Sequence, residues 1–152
     1  MRSGCVPPRT GHLRSLHLPA SGNHAESEHV LATTPPESML PDPPTAYRRW
    51  WNNSWHEVEE GGQQTAGAWT DSKMARLQAL VARAHNLGYW IRFYTLDGFA
   101  PAVGEQNGWF AQYNFGSLEA VQQRWKAAIT AGVDLIASDQ YEDLAAFMKN
   151  AH

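Results

Sequence analysis

The sequence predicts an α/β fold with a parallel sheet, because one pattern occurs twice in it. In each copy an amphipathic helix ends at a glycine, a short apolar strand follows, and an aspartate comes at or just after the end of the strand. The copies cover about 73–97 and 117–139. Helices that alternate with strands in this order form parallel sheets. Such sheets bind ligands at the carboxyl ends of their strands, so Asp97 and Asp139 are the first candidates for function.

Composition excludes several classes of protein. The chain has 152 residues, a formal net charge of −3 and 18% charged residues, which indicates one domain and no electrostatic footprint for nucleic acid. Its single cysteine, Cys5, cannot form an internal disulfide. No apolar run is long enough for a transmembrane segment, and the N-terminus has no signal-peptide core. A cytoplasmic location is expected by default.

Proline divides the chain into two parts. Eight of the nine prolines lie between Pro7 and Pro44. We expect residues 1–45 to be mostly irregular, with at most one short strand at 29–34, and residues 46–152 to form the α/β domain. Four histidines of the first part have spacings of five, seven and five residues, which fit no metal-binding pattern, so they are expected to be solvated. They are His12, His17, His24 and His29.

The segment Tyr47–Trp69 is rich in tryptophan and amides and has little periodicity. It predicts a long ordered loop with one short helical turn at most, and loops of this length are usually functional. Two interpretations remain open. Its first three tryptophans can plug the end of the sheet, or the loop can stack sugar rings in a carbohydrate- or ligand-binding α/β module. The tryptophans concerned are Trp50, Trp51 and Trp55, with Trp69 and Trp109 added in the second interpretation.

The first helix–strand unit has clear start and stop signals. Residues 70–72 offer side-chain oxygens for an N-cap, and Gly88 supplies a left-handed exit. His85 lies in the last turn, where a cation suits the helix dipole, and a structural role is expected for it. Residues 89–96 are apolar or aromatic apart from an arginine and a threonine, as in a buried parallel strand. The helical face consists of Met74, Leu77, Leu80, Val81 and Ala84.

The second unit follows a loop that lasts from Asp97 to Gly116. Ser117 can cap its helix, Gly132 ends that helix, and 133–137 is the predicted strand. A final helix should begin near Glu142. The apolar stripe of the second helix is Leu118, Val121, Trp125 and Ala128, and the final helix carries Leu144, Phe147 and Met148 inward.

The strand ends carry the chemistry. Side chains alternate along a strand, so one face is expected to carry Trp90, Arg92, Tyr94 and Leu96, and the other Ile91, Phe93 and Thr95. An arginine there needs a carboxylate or a bound anion, so Arg92 is either half of an internal ion pair or a phosphate ligand. Asp97 and Asp139 can each cap a helix. Asp139 is the stronger functional candidate because it belongs to a polar run, Ser-Asp-Gln-Tyr, at one strand end.

Two segments carry a resemblance to a known family. AHNLGYWIRFYTLDG followed by AAITAGVDLIASDQYEDL is similar to the last two strand–helix units of the phospholipase C-like phosphodiesterases. That superfamily of TIM barrels includes glycerophosphodiester phosphodiesterases and phosphatidylinositol-specific phospholipases C. The resemblance covers about residues 47–148 and implies the C-terminal strand–helix units of a (β/α) barrel. The matching residues are His85, Gly88, Tyr94, Thr95, Gly132, Val133, Asp134, Ile136, Ser138 and Asp139.

The resemblance implies hydrolysis of a phosphodiester with a glycerol- or inositol-type lipid head group. In the family two histidines on early strands act as base and acid, beside acidic residues that hold Ca²⁺ or Mg²⁺, and a carboxylate on the last strand orients a histidine. Asp139 matches that catalytic carboxylate. The substrate-binding candidates are Arg92, Tyr94, Asp97, Trp109, Asn114, Asn52 and Asn53.

One part of the family pattern is missing. The sequence contains no His-Arg-Gly or Glu-x-Asp segment for the early strands. A complete barrel of this type has about 250 residues, so we expect an incomplete barrel without catalytic histidines, no cofactor in this chain itself, and negligible turnover by the chain alone. Open sheet edges would allow self-association. A doubly wound nucleotide-binding fold is disfavoured because no glycine-rich phosphate loop joins a strand to a helix.

Overall fold

The computed structural model describes residues 30–59, 66–109, 111 and 114–150. Its centre is a parallel sheet of three strands in the order β1-β2-β3. The α/β class with a parallel sheet is therefore confirmed. The four histidines that were expected to be solvated rather than metal-bound lie outside the described residues. The strands are β1, Trp50–Ser54; β2, Trp90–Tyr94; and β3, Leu135–Ile136.

Helices connect and flank the strands. Residues 30–33 are helical, and a 3₁₀ turn, Trp55–Glu57, follows β1 directly. No helix in the described part of the chain is long and apolar enough to span a bilayer. The remaining helices are α1, Pro36–Met39; α2, Asp71–Leu87; α3, Pro101–Asn107; α4, Leu118–Ala131; and α5, Tyr141–Asn150.

The two long helices begin and end where the sequence signals predict. Thr70 Oγ1 accepts a hydrogen bond from the Lys73 amide (3.4 Å) at the start of α2, and Ser117 Oγ accepts one from the Ala120 amide (3.2 Å) at the start of α4. Gly88 ends α2 with φ +86°. Side-chain oxygens and left-handed glycines satisfy the unpaired backbone groups at helix ends, so these boundaries are local properties of the sequence.

Three expected details are corrected. Residues 30–33 are helical where a short strand was expected. The predicted irregular loop after Tyr47 contains β1, whose register with β2 places Trp51 opposite Ile91. The loop after Asp97 contains α3, with Pro101 in its first turn and Gly108 in the left-handed conformation after it. Proline at a helix start and glycine beyond its end are the local signals that account for this helix.

The core lies on one side of the sheet. Trp51, Ile91 and Phe93 are buried against the apolar faces of α2 and α4. The residues between them face the other way, and Trp50 and Trp90 remain 49% and 57% exposed. The predicted alternation of faces is therefore observed along β2, whereas Leu96, expected on the open face, lies beyond the turn at Thr95 and is fully buried.

A buried ion pair joins the segment after β1 to α4. Both carboxylate oxygens of Glu59 accept bonds from Arg124, at 2.8 and 2.9 Å, and Glu59 also accepts from Trp55 Nε1 (2.7 Å). Lys73 lies 2.8 Å from the same carboxylate. These partners hold the pKa of Glu59 below its usual value, although burial alone would raise it. Sequence reasoning had not identified this pair.

Candidate active site at the carboxyl ends of the strands

A cavity of about 890 Å³ opens at the carboxyl ends of β2 and β3. Its floor is made by the ends of these strands, one wall by the loop that contains α3, and another by the start of α5. Parallel sheets bind ligands at this edge because the connecting loops diverge there. Six of the predicted site residues line the cavity: Arg92, Tyr94, Asp97, Trp109, Asn114 and Asp139.

Asp97 joins the ends of the two strands. Its Oδ1 accepts one hydrogen bond from the Ser138 hydroxyl and one from the Asp139 backbone amide, both at 2.7 Å. The residue is 9% exposed. Burial raises the pKa of this carboxyl above its ordinary value, and the two hydrogen bonds oppose the shift by favouring the ionised form. Asp97 therefore fixes the backbone at Asp139, which is itself exposed at the cavity.

Gly98 allows the chain to pass this close to α4. A Cβ at this position would lie within 2.5 Å of Val121 Cγ1 and closer still to the Ser117 carbonyl oxygen. The Gly98 amide donates to Gln140 Oε1, which adds a second link between the two strand ends. The two residues of the Asp-Gly pair therefore have separate roles. Asp97 accepts hydrogen bonds from the neighbouring strand end, and Gly98 occupies a position without space for a side chain.

Thr95 is the one non-glycine residue with positive φ in the described part of the chain (φ +67°). A β-branched residue in this conformation is strained by about 1–3 kcal/mol. Its hydroxyl accepts a hydrogen bond from the Trp55 amide (3.3 Å) and donates one to the Tyr94 carbonyl. Thr95 lines the cavity, and the unusual turn redirects the chain between Tyr94 and Asp97. No local sequence signal marks such strain.

Arg92 has a neutral partner. Its Nη1 donates to Asn52 Oδ1 (2.6 Å), and its guanidinium carbon lies 5.8 Å from the centre of the Tyr94 ring. Within the described residues it has no carboxylate partner. Of the two expected roles, the internal ion pair is not formed with any acid in the part of the chain that the structure describes. The charge of Arg92 at the cavity is therefore available to an anion.

The loop wall is aromatic. The Phe99 and Trp109 rings have centroids 4.5 Å apart and planes inclined by 44°, and Trp109 is 45% exposed. Asn114 Nδ2 donates to the Phe99 carbonyl (2.7 Å), and Asn114 Oδ1 accepts from the Gly116 amide (3.2 Å). Both polar groups of Asn114 thus have partners in the loop itself, so Asn114 shapes the wall.

Two predicted site residues do not line the cavity. Asn52 lies on the open face of the sheet and reaches the site only through its bond to Arg92. Asn53 points to the opposite face, where it is 1% exposed and its Nδ2 has no hydrogen-bond partner. The tryptophans after Tyr47 also divide: Trp51 and Trp55 are buried in the core, as the plug interpretation expects, whereas Trp50 is exposed on the open face.

The described histidines lie away from the cavity. His85 Nε2 is 3.0 Å from Asp134 Oδ2 at the amino ends of the strands, which agrees with the structural role expected for it. His56 is buried, with its Nδ1 2.7 Å from Ser54 Oγ. Neither lines the cavity. Among the described residues, no group of three or more histidine, cysteine or acidic side chains is arranged to hold a metal ion.

Comparison with protein-family models, with curated proteins and with solved structures finds no match to this chain.

Proposed function

We propose that this chain is the C-terminal part of a phospholipase C-like phosphodiesterase barrel and binds a glycerol- or inositol-type phosphodiester head group in the cavity. One observation carries the proposal. Asp97 fixes the backbone of Asp139 at the carboxyl edge of two adjacent parallel strands, in the cavity that also contains Arg92, which has no carboxylate partner among the described residues. A positioned carboxylate and a guanidinium in one cavity are suited to a phosphate ester and its proton transfers.

The sheet supports a barrel over a doubly wound fold. Strands consecutive in sequence are neighbours in space and parallel, as in a (β/α) barrel. In the described part of the chain, the core helices cover the face of Ile91 and Phe93 and leave Trp50 and Trp90 exposed on the other. A doubly wound sheet has helices on both faces, whereas a barrel has them on the outside only. On this proposal the open face of Trp50, Arg92 and Tyr94 corresponds to the barrel interior.

Each cavity residue has a proposed role. The guanidinium of Arg92 binds a phosphoryl oxygen, and Asn52 holds the guanidinium in position. Asp139 orients an imidazole that acts as general base or acid, and Asp97 positions Asp139 through its backbone. No described histidine lines the cavity, so on this proposal the imidazoles come from outside the described residues. Ca²⁺ or Mg²⁺ would be held there as well.

The proposal predicts binding without turnover. Inositol 1-phosphate and glycerol 1-phosphate should bind, as measured by calorimetry, and Arg92→Gln should weaken both about 10- to 100-fold because it removes a charge-assisted hydrogen bond. Arg49→Gln is the matched control, since Arg49 is exposed and does not line the cavity. Bis(p-nitrophenyl) phosphate should hydrolyse no faster than in buffer.

Three results would contradict the proposal. Equal affinity of the wild-type chain and Arg92→Gln for inositol 1-phosphate would remove the phosphate site. Hydrolysis of bis(p-nitrophenyl) phosphate that disappears in Asp139→Asn would show that the chain carries its own acid and base. Binding of neutral oligosaccharides without binding of either phosphate would favour the carbohydrate-binding module instead.

A further inference from the structure

Residues 30–41 form a strap along one side of α2, and none of them lines the cavity. At the start of the strap, Arg76 Nη1 donates to the Thr34 carbonyl (2.7 Å) and Arg76 Nη2 to the Leu31 carbonyl (3.1 Å). These carbonyls lie in and just after the helical turn 30–33, and the last carbonyls of a helix have no intrahelical partner. Arg76 therefore supplies the donors that this end of the strap lacks.

A second arginine of α2 holds the other end of the strap. Arg83 donates to the Leu40 carbonyl from Nε (2.9 Å) and from Nη2 (2.8 Å), and Nη2 also donates to the Pro41 carbonyl (3.3 Å). Because residues seven apart on a helix lie on the same side, about 10 Å from each other, Arg76 and Arg83 form one site on α2. We call it the strap site.

The strap site binds mainly backbone carbonyls. Three of the twelve residues in the strap are prolines, which have a carbonyl but no N–H group. A guanidinium has five donors and no acceptor, so it complements a segment that has more carbonyls than N–H groups. Within the described residues, neither Arg76 nor Arg83 lies within ion-pair distance of a carboxylate. Their hydrogen bonds to the strap are therefore not shared with an ion pair.

The strap has few buried contacts. Leu40 is its one fully buried side chain, and most of the others are exposed. Residues 42–46, which follow the strap and which we call the hinge, are exposed apart from Pro44. A segment with so little buried surface opens more readily than the core that it covers. A segment on a short hinge can also make the same contacts with another copy of the chain.

We propose that the strap is a detachable ligand of α2, which opens as a unit at the hinge and leaves the strap site free for the strap of a second copy of the chain. Such a copy offers the same carbonyls and the same leucine. The hinge contains Pro43 and Pro44, and proline-rich linkers are extended, which favours docking on another copy. The strap site lies apart from the cavity, so its occupation does not depend on the proposed phosphate ligand.

Hydrogen exchange under native conditions tests the opening. The Thr34 and Leu40 amides each donate to a carbonyl inside the strap (2.9 and 3.0 Å), so they report on its two ends. Arg83→Gln removes the anchor at Leu40 and should lower the protection of both amides about 10- to 100-fold, because the strap opens as a unit. The Leu80 amide, in the middle of α2, should change less than about twofold.

Two exchange patterns would contradict this expectation. A change at Leu40 without a change at Thr34 would show that the strap does not open as a unit. An equal loss of protection at Leu80 would show that the strap opens only when the domain unfolds.

A labelled peptide of residues 30–41 tests whether the strap site binds the strap in trans. The wild-type chain should bind it weakly, because its own strap occupies the site. Leu40→Ala in the chain removes the buried anchor of that strap, while the peptide keeps its leucine. The variant should therefore bind the peptide at least about tenfold more tightly than the wild type does, as measured by fluorescence anisotropy.

Matched variants of the Leu40→Ala chain locate the bound peptide. Adding Arg83→Gln should weaken peptide binding about 10- to 100-fold, because it removes charge-assisted hydrogen bonds to the peptide backbone. Adding Lys126→Gln instead removes an exposed cation from α4 and should leave Kd within about twofold. Equal peptide affinity of the wild-type and Leu40→Ala chains, or binding that persists in Arg83→Gln, would place the peptide elsewhere and overturn the proposal.

Sedimentation equilibrium of the wild-type chain tests exchange between whole copies and needs no variant to fold. A dimer should appear as the protein concentration rises, and an excess of the 30–41 peptide should dissociate it. A chain that stays monomeric at every concentration would refute docking on a second copy. A dimer that the peptide leaves intact would use another surface, such as the sheet edges, and would refute it as well.

Discussion

At both ends of the sheet an aspartate carboxylate accepts a backbone hydrogen bond from the neighbouring strand segment. At the amino end, Asp134 Oδ2 accepts from the Ile91 amide (2.8 Å) and lies 3.0 Å from His85 Nε2. At the carboxyl end, Asp97 Oδ1 accepts from Ser138 and from the Asp139 amide. Each aspartate links β2 to β3, which is only two residues long. A short strand therefore depends on side chains at both of its ends.

The difference between the two ends lies in burial and in what surrounds each carboxylate. Asp134 keeps 33% of its side chain exposed, with a histidine partner, outside the cavity. Asp97 is 9% exposed, its pKa is raised by burial, and it lines the cavity. Burial of a carboxylate is unfavourable unless hydrogen bonds compensate it, as the Ser138 hydroxyl and the Asp139 amide do for Asp97. On the proposed function, the Asp134 contacts at the amino end are structural, whereas the Asp97 contacts at the carboxyl end also position a site residue.

The largest expected effect concerns Glu57, which lies just beyond the carboxyl end of β1. Burial raises the pKa of Glu57 to about 7, Arg76 lowers it in part, and Glu57 Oε2 is buried without a hydrogen-bond partner. The folded state then binds more protons than the unfolded state between pH 4.5 and 7. The contribution of Glu57 to stability should be full below its unfolded pKa and fall by up to about 3 kcal/mol as pH rises through 7.

Urea unfolding from pH 4.5 to 8 measures this loss. Glu57→Gln should remove most of the pH dependence and be more stable than the wild type at pH 8, because it buries no charge. Glu37→Gln is the control, since Glu37 is exposed and near Arg76. A wild-type free energy of unfolding that rises between pH 5 and 7 would contradict this prediction, because it would show that Glu57 ionises without a loss of stability.

The next effect compares the two aspartates directly. Asp97→Ala should cost about 1–3 kcal/mol, because it leaves two donors in a mostly buried position without a partner. Asp134→Ala should cost about 1 kcal/mol or less, since the side chains of Asp134 and His85 are both partly exposed to water. Chemical denaturation measures both. Only Asp97→Ala should also weaken the binding of inositol 1-phosphate. Equal effects of the two variants on that binding would contradict the proposed difference between the two ends of the sheet.

The smallest effect concerns the turns beside the strands. Turns at the amino ends use glycine, Gly88 and Gly132, for positive φ, whereas the carboxyl end of β2 uses Thr95. Thr95→Gly should change the free energy of unfolding by less than about 1 kcal/mol, because relief of strain offsets the lost bond from the Trp55 amide. Thr95→Val keeps the strain and loses the bond, so it should be the less stable variant. Thermal unfolding of both variants checks the order.

Much of the fold follows from local patterns. The capping oxygens of Thr70 and Ser117 and the glycines after each helix define α2 and α4, and the alternation along β2 identifies its buried and open faces. β1 was not predicted, because two asparagines in a strand of five residues have low strand propensity. Its hydrogen-bond partners lie in β2, about 40 residues later in the chain, so no local sequence pattern predicts the pairing.

The sequence by itself determined the α/β alternation, the helix boundaries and the expectation that Asp97 and Asp139 lie at the same edge. These depend on hydrogen bonds and periodicities within a few turns of one segment. Tertiary structure alone decided that Asp97 binds the Asp139 amide, that Arg92 has an amide partner, that Thr95 is strained, and that Glu59 pairs with Arg124. Those contacts join residues distant in sequence, and only the packed chain sets their distances, burial and charge.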